Sequence, residues 1–192
     1  MTERKKIAIF ASGAGSNAAN LIGYFKTNAS AEVVLVVTNK ANAGVIHVAS
    51  EAGIPVLLVS KKDFQEPNNL LEELSAFQLS LIVLAGFLWK IPGWMIDEFP
   101  DRIINIHPAL LPRHGGKGMY GRHVHEAVKQ AGDTETGITV HYVNEKYDEG
   151  NSIFQARVEV KKEDGPAEIE KKVRALEMKY FPQVVEEVLS RM

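Results

Sequence analysis

Five short apolar runs, separated by segments of helical length, constrain this chain more than any other feature. They are Ile7–Ala11, Val33–Val37, Val56–Val59, Leu79–Leu84 and Arg102–His107. Most are continuous rather than alternating, which is what parallel strands covered on both faces require. Asn17–Lys26, Ala43–Ala52, Asn68–Phe77 and Ile91–Phe99 read as the intervening helices. The order β-α-β-α predicts an α/β fold, a Rossmann-like, open, mostly parallel sheet with right-handed crossovers and helices on both faces. The pattern changes after Pro112. A glycine-rich loop, Arg113–Gly121, precedes a helix at His123–Ala131. Two further strand-like runs follow, Ile138–Val143 and Ile153–Val160, joined by the turn-rich 144–152 segment. They predict an antiparallel excursion in the C-terminal half. Pro166 opens a last helix to about Ser190, with Ile169, Val173, Leu176, Tyr180, Val184 and Val188 at helical spacing. No linker or repeat interrupts the chain, so residues 1–192 are expected to form one domain.

Ligands of such sheets bind outside the carboxyl ends of the strands, so the residues there matter most. The fifth run ends on Asn105-Ile106-His107-Pro108. An amide that both donates and accepts, and an imidazole that titrates near neutrality, stand on alternate residues of a buried strand. Pro108 then ends the ladder because it has no N–H. The pair is either catalytic or structurally satisfied. After the first run comes Ala11-Ser12-Gly13-Ala14-Gly15-Ser16-Asn17. Its glycines allow a tight turn with N–H groups converging on an anion at a helix start, and Ser16 or Asn17 is expected as the N-cap. It is neither the dinucleotide fingerprint nor a Walker loop. Tyr147-Asp148-Glu149-Gly150 reads first as a β-turn. If the chain folds Asp148 back beside His107, the carboxylate is expected to raise the imidazole pKa. His141 either faces the same cleft or pairs with backbone, and His114, His123 and His125 lack the spacing of a zinc site. Leu88-Trp89-Lys90-Ile91 could wall a pocket for a flat ligand, or bring a helix into the core.

The formal net charge of −2 argues against a nucleic-acid groove or an anionic membrane surface. The chain has no cysteine, which removes disulfides and thiolate metal sites and fits a reducing cytoplasm. Met1–Lys6 leads into an apolar run too short for a signal peptide or a membrane span.

In order along the chain, these residues resemble the phosphoribosylglycinamide formyltransferase family. The resemblance rests on Ser12–Asn17, Thr38-Asn39-Lys40, Leu84–Phe87, Asn105–Pro108 with Leu110-Leu111-Pro112, Thr136–His141, Asp148-Glu149-Gly150, Gln155, Arg174-x-x-Glu177 and Tyr180-Phe181-Pro182. It implies a formyltransferase-type domain that moves a formyl group from 10-formyltetrahydrofolate to glycinamide ribonucleotide in purine synthesis, without a metal. Carried over, Asn105, His107 and Asp148 would be the catalytic trio. Gly15, Ser16 and Asn17 would hold the substrate phosphate, and Glu177 would hold the ribonucleotide near its amine. Leu88, Trp89, Lys90 and Ile91 would line the folate pocket. Small-molecule partners alone are implied, with the chain a monomer or homodimer. Three departures stand out: Trp89 where the family pattern has Arg, no Arg around 64–69, and a longer, glycine-richer loop at Gly115–Gly121. The rival readings are a formyltetrahydrofolate hydrolase using the same trio with water as acceptor, and a non-catalytic nucleotide-binding module.

Overall fold

The computed structural model describes residues 4–192, so Met1–Glu3, where the reading of the N-terminus begins, lie outside the described residues. One seven-stranded sheet runs through the protein in the order β3-β2-β1-β4-β5-β6-β7. The strands are β1 (Lys5–Phe10), β2 (Ala31–Thr38), β3 (Val56–Leu58), β4 (Leu81–Leu84), β5 (Ile103–His107), β6 (Glu135–Tyr142) and β7 (Ser152–Glu159). The helices are α1 (Ser16–Thr27), α2 (Val45–Glu51), α3 (Lys61–Gln65), α4 (Asn68–Ala76), α5 (Gly93–Glu98), α6 (Arg122–Ala131) and α7 (Pro166–Ser190). Strands β1 to β5 pair in parallel, while β5–β6 and β6–β7 are antiparallel. The expected mostly parallel sheet with an antiparallel C-terminal part is therefore the observed one.

Successive side chains of a strand point to opposite faces, and here both faces are buried. Ile7, Ile9, Leu81, Val83, Ile104 and Ile106 pack with α1, α2, α6 and α7. Ala8, Phe10, Ile82, Leu84 and Ile103 pack with Phe64, Leu70, Leu74 and Met95 of α3, α4 and α5. That two-sided burial is why the strand sequences read as unbroken apolar runs.

The helix boundaries differ from the sequence reading in instructive ways. Helix α3 was not anticipated. It has only five residues, too few to show a period, and forms because the Ser60 hydroxyl caps the Asp63 N–H while Phe64 is fully buried. Helix α5 starts at Gly93 rather than Ile91, because Pro92 disfavours helical geometry in the residue before it and Ile91 is used in the core. Helix α2 starts at Val45 rather than Ala43.

Two features of topology place the site. The chain winds outward from β1 to β2 and β3, then returns to the other side of β1 with β4 and β5. The loops after β1 and β4 therefore diverge, opening a crevice at the carboxyl edge. Second, α7 crosses back over α1. Pro182 lies inside α7 and cannot donate to the Met178 carbonyl, and Asn20 Nδ2 of α1 takes that acceptor instead at 3.0 Å. Glu186 adds hydrogen bonds from Tyr24 (2.5 Å), Asn28 (2.6 Å) and Ser30 (3.1 Å).

Candidate active site

A cleft of about 670 Å³ opens at this edge. That is within the range of small-molecule sites, about 300–1,000 Å³. Its walls come from the loops after β1, β4 and β5, from the 116–121 and 144–148 segments, and from one side of α7.

Asn105 and His107 are two residues apart on β5 and so share a face. Register places His141 of β6 opposite Asn105, and Thr139 opposite His107. A register shift between Val140 and His141 in the β6–β7 pairing bends the strand at this point. His141 is 2% exposed and lines the cleft. Its Nδ1–H donates to the Tyr142 carbonyl at 2.8 Å. That leaves Nε2 to accept from Asn105 Nδ2 at 3.1 Å. The second proton of the Asn105 amide remains for a ligand.

His107 is 3% exposed. Its Nε2–H donates to the His114 carbonyl at 2.8 Å, so Nδ1 is the nitrogen free for chemistry. Asp148 Oδ2 stands 3.5 Å from that Nδ1, and Oδ1 stands 3.5 Å from His141 Nε2. The Gly116 N–H donates to Asp148 Oδ2 at 2.8 Å. Asp148 adopts a left-handed backbone (φ 57°), a conformation Asp tolerates better than most residues. The fold thus brings Asn105, His107 and Asp148 together, although the carboxylate comes from a separate loop beyond β6.

The electrostatics depart from the sequence expectation in one respect. Burial pushes the His107 pKa below 6.5, and it outweighs the opposing pull of Asp148 and of the His114 carbonyl. The expected rise does not occur, because a nearly inaccessible ring loses more hydration than one carboxylate at 3.5 Å returns. Burial alone would push Asp148 upward, but the neighbouring His141 and His107 imidazoles and the Gly116 N–H together hold it below 3.8. At neutral pH the site therefore pairs a carboxylate with a neutral His107.

Gly15, which also lines the cleft, is the α1 N-cap in left-handed geometry (φ 85°). Neither Ser16 nor Asn17 caps the helix with its side chain, contrary to expectation, because the glycine makes the turn and both residues fall inside the first turn. The first N–H groups of α1 are left for an anion. Asn17 Nδ2 instead donates to Glu177 Oε2 at 2.9 Å, and Asn17 Oδ1 is buried with no partner. Burial raises the Glu177 pKa, against the hydrogen bond from Asn17 and the nearby Arg174 charge. Ser12, not singled out within the loop, links the two diverging loops: its hydroxyl donates to Asn39 Oδ1 at 2.6 Å and accepts the Leu88 N–H at 3.0 Å.

A match to the formyl transferase family model extends over residues 5–185. The chain belongs to that family. It is 43% identical over 188 residues to the chloroplastic phosphoribosylglycinamide formyltransferase of Arabidopsis thaliana, covering 95% of this chain and 64% of the relative. The phosphoribosylglycinamide formyltransferase of Haemophilus influenzae is 36% identical over 188 residues, covering 94% and 85%. The solved structure of glycinamide ribonucleotide transformylase 1 from Geobacillus kaustophilus superposes with a TM-score of 0.89 at 32% identity, covering 97% of this chain and all of that one. The chain thus spans less than two thirds of the length of the Arabidopsis relative.

The family resemblance also points to residues 88–91, and all four line the cleft. Exposure alternates along the strip: Leu88 and Lys90 are exposed, while Trp89 and Ile91 turn toward the core. The Trp89 ring lies 5.4 Å from Phe64 and 6.2 Å from Phe87, so it braces the wall from behind. The three histidines weighed as a zinc set are scattered. His114 is bound to Asp133, His123 is exposed beside Glu126, and His125 is buried with Nδ1 unpaired. Among the described residues no group of three or more His, Cys, Asp or Glu side chains could hold a metal ion, and no helix is long and apolar enough to cross a membrane.

Proposed function

We propose that this chain transfers a formyl group from 10-formyltetrahydrofolate to the amino group of N1-(5-phospho-D-ribosyl)glycinamide, a step of de novo purine synthesis. One observation carries the reading: Asn105, His107 and Asp148 converge on a single cleft that is also lined by an uncapped helix start and by the 88–91 strip. Membership of the formyl transferase family and the names of the relatives support it.

Gly15, Ser16 and Asn17 hold the phosphate at the start of α1, and Glu177 holds the ribonucleotide beside them. Leu88, Trp89, Lys90 and Ile91 line the folate side, where a flat ring fits against an apolar strip braced by Phe64 and Phe87. The bound folate supplies an electrophilic one-carbon group. Asn105 donates its free amide proton to the oxygen on which negative charge builds. His107, neutral at the outset, accepts at Nδ1 the proton that the attacking amine gives up. Asp148 stabilises the imidazolium so formed, and His107 then returns the proton to the departing nitrogen. No residue role requires a metal. The partners in this reading are the two small molecules, with no nucleic acid or membrane. The chain acts in the cytoplasm as a single catalytic domain, monomeric or homodimeric.

The test mixes the purified chain with a 10-formyl folate analogue, with and without the ribonucleotide, and follows folate absorbance. Turnover only with the ribonucleotide supports the proposal. Equal turnover without it assigns the hydrolase, and binding of the ribonucleotide with no turnover assigns a binding module.

A further inference from the structure

The loop after β5 grips the proposed catalytic pair from both sides. The His114 carbonyl accepts from His107 Nε2–H at 2.8 Å, and two residues later the Gly116 N–H donates to Asp148 Oδ2 at 2.8 Å. Gly115 between them is closely packed: a Cβ there would stand 2.5 Å from Leu111 Cδ2, which would have to turn aside, and 3.3 Å from Asp148 Cβ. The His114 carbonyl direction depends on a left-handed backbone (φ 54°), which residues other than glycine adopt reluctantly. The His114 side chain is itself tied down. His114 Nε2–H donates to Asp133 Oδ2 at 2.6 Å. Asp133 follows Gly132, which ends α6 in left-handed geometry, and its side chain is 6% exposed. The other oxygen of Asp133 takes the Arg113 guanidinium, so one carboxylate ties down two consecutive residues of the loop.

We infer that Asp133 is a positioning residue for His107, acting through the His114 side chain to aim the carbonyl that fixes which imidazole nitrogen carries the proton. It touches neither ligand nor reacting atoms. With the tie in place, Nε2 keeps its proton and Nδ1 faces Asp148 and the cleft. Without it, residue 114 relaxes toward ordinary backbone geometry and its carbonyl swings off Nε2. The neutral ring then distributes its proton between both nitrogens, and only one form can accept at Nδ1. The groups facing His107 are Asp148 from the β6–β7 loop, His141 from β6, His114 from its own loop and His125 from α6. Asp133 acts on none of the other three.

The inference rests on the proposed role of His107, and the experiment separates the two. Full-length Asp133→Ala, His114→Ala and His114→Gln are compared with the parent by imidazole ¹⁵N spectra of the ligand-free protein above pH 7, and by kcat and KM for both substrates. The parent His107 should show a protonated Nε2 and a bare Nδ1. Asp133→Ala and His114→Ala should show an averaged tautomer, with kcat lower by about 10- to 100-fold, the scale of a misplaced catalytic group, and KM little changed. His114→Gln keeps an N–H for Asp133 and should restore both the tautomer and most of kcat. An unaltered His107 signal and parental kcat in Asp133→Ala would overturn the inference. If Asp133→Ala does not fold, the two His114 variants decide, and equal loss in both counts against it. If the tautomer shifts as expected while His107→Ala still turns over normally, the positioning stands and the catalytic reading of His107 fails.

Discussion

Replacing Gly15 with Ala tests how the phosphate-end loop is built. The change looks minimal, but two penalties combine. Gly15 has φ 85°, where a side chain costs about 1–2 kcal/mol. The new Cβ would also stand 2.8 Å from Val45 Cα and 3.0 Å from Val45 Cβ at the start of α2. The nearest atom is backbone, so α2 must move rather than a rotamer, and overpacking of this kind costs about 1–3 kcal/mol. The sum, about 2–5 kcal/mol, is a large part of ordinary stability but does not exceed it. For a chain of this size each kcal/mol lowers Tm by about 2–4 °C, so a fall of roughly 4–20 °C is expected. Gly13→Ala is the control, because nothing lies within 4 Å of a Cβ there and its φ is not positive. Thermal unfolding by circular dichroism reads both variants, and calorimetric titration reads ribonucleotide affinity. Val45→Ala in the Gly15→Ala background should restore little, since the collision with the residue 45 backbone persists. A parental Tm for Gly15→Ala, or an equal fall for Gly13→Ala, would refute the reasoning. On the proposed function Gly15→Ala should also bind the ribonucleotide more weakly, through a displaced α2 and a reshaped loop rather than a side chain lying in the proposed phosphate site.

Acid should destabilise the protein through its buried histidines. His107 and His125 are both held below 6.5, so their contribution is complete above 6.5 and is lost as pH falls, because the unfolded chain takes up the protons first. Asp148, held below 3.8, adds the same sign in the more acidic range. Urea unfolding at pH 7.5 and 5.5 should show a smaller drop for the His107→Gln, His125→Gln double variant, and an identical drop would count against this account. Glu177→Gln should raise the urea midpoint at neutral pH, because burial disfavours the ionised Glu177 while Gln still accepts from Asn17; the same variant should bind ribonucleotide more weakly. Asn105→Ala should lose about 10²–10³ in kcat, the usual effect of one missing donor to a developing oxyanion, and Asp148→Ala should lose most of kcat with the fold retained on circular dichroism. Parental turnover in either would remove that residue from the mechanism.

What could be read from the chain alone follows from how local each cause is. Strands β1, β2 and β4 were legible because two-sided burial writes itself as an unbroken apolar run. Helix α3 was not, since one Ser60 cap and one buried Phe64 leave no periodic trace. The choice of Gly15 over Ser16 or Asn17 as N-cap depends on which neighbour takes the left-handed turn, and any of the three fits the composition. The approach of Asp148 to His107 is set by the β5–β6 register and by a bend at His141, neither of which spacing encodes. His141, left open between cleft and backbone, does both: Nδ1 pairs with backbone and Nε2 faces the site. The direction of the His107 pKa was missed because charge is visible in a sequence and depth of burial is not.

The docking of α7 on α1 also bears on when the site comes into being. Asn17 and Glu177 are 160 positions apart, so the proposed phosphate site is closed by one of the longest loops the chain must form. Contacts of such separation are entropically late in folding. An intermediate with a finished sheet but an undocked α7 would own the Asn105–His107 centre and still lack a complete place for the ribonucleotide. The ribonucleotide would then stabilise only the fully docked protein, by mass action. On the proposed function, nucleotide supply and the standing amount of this protein would be linked through folding itself, with the last helix as the checkpoint.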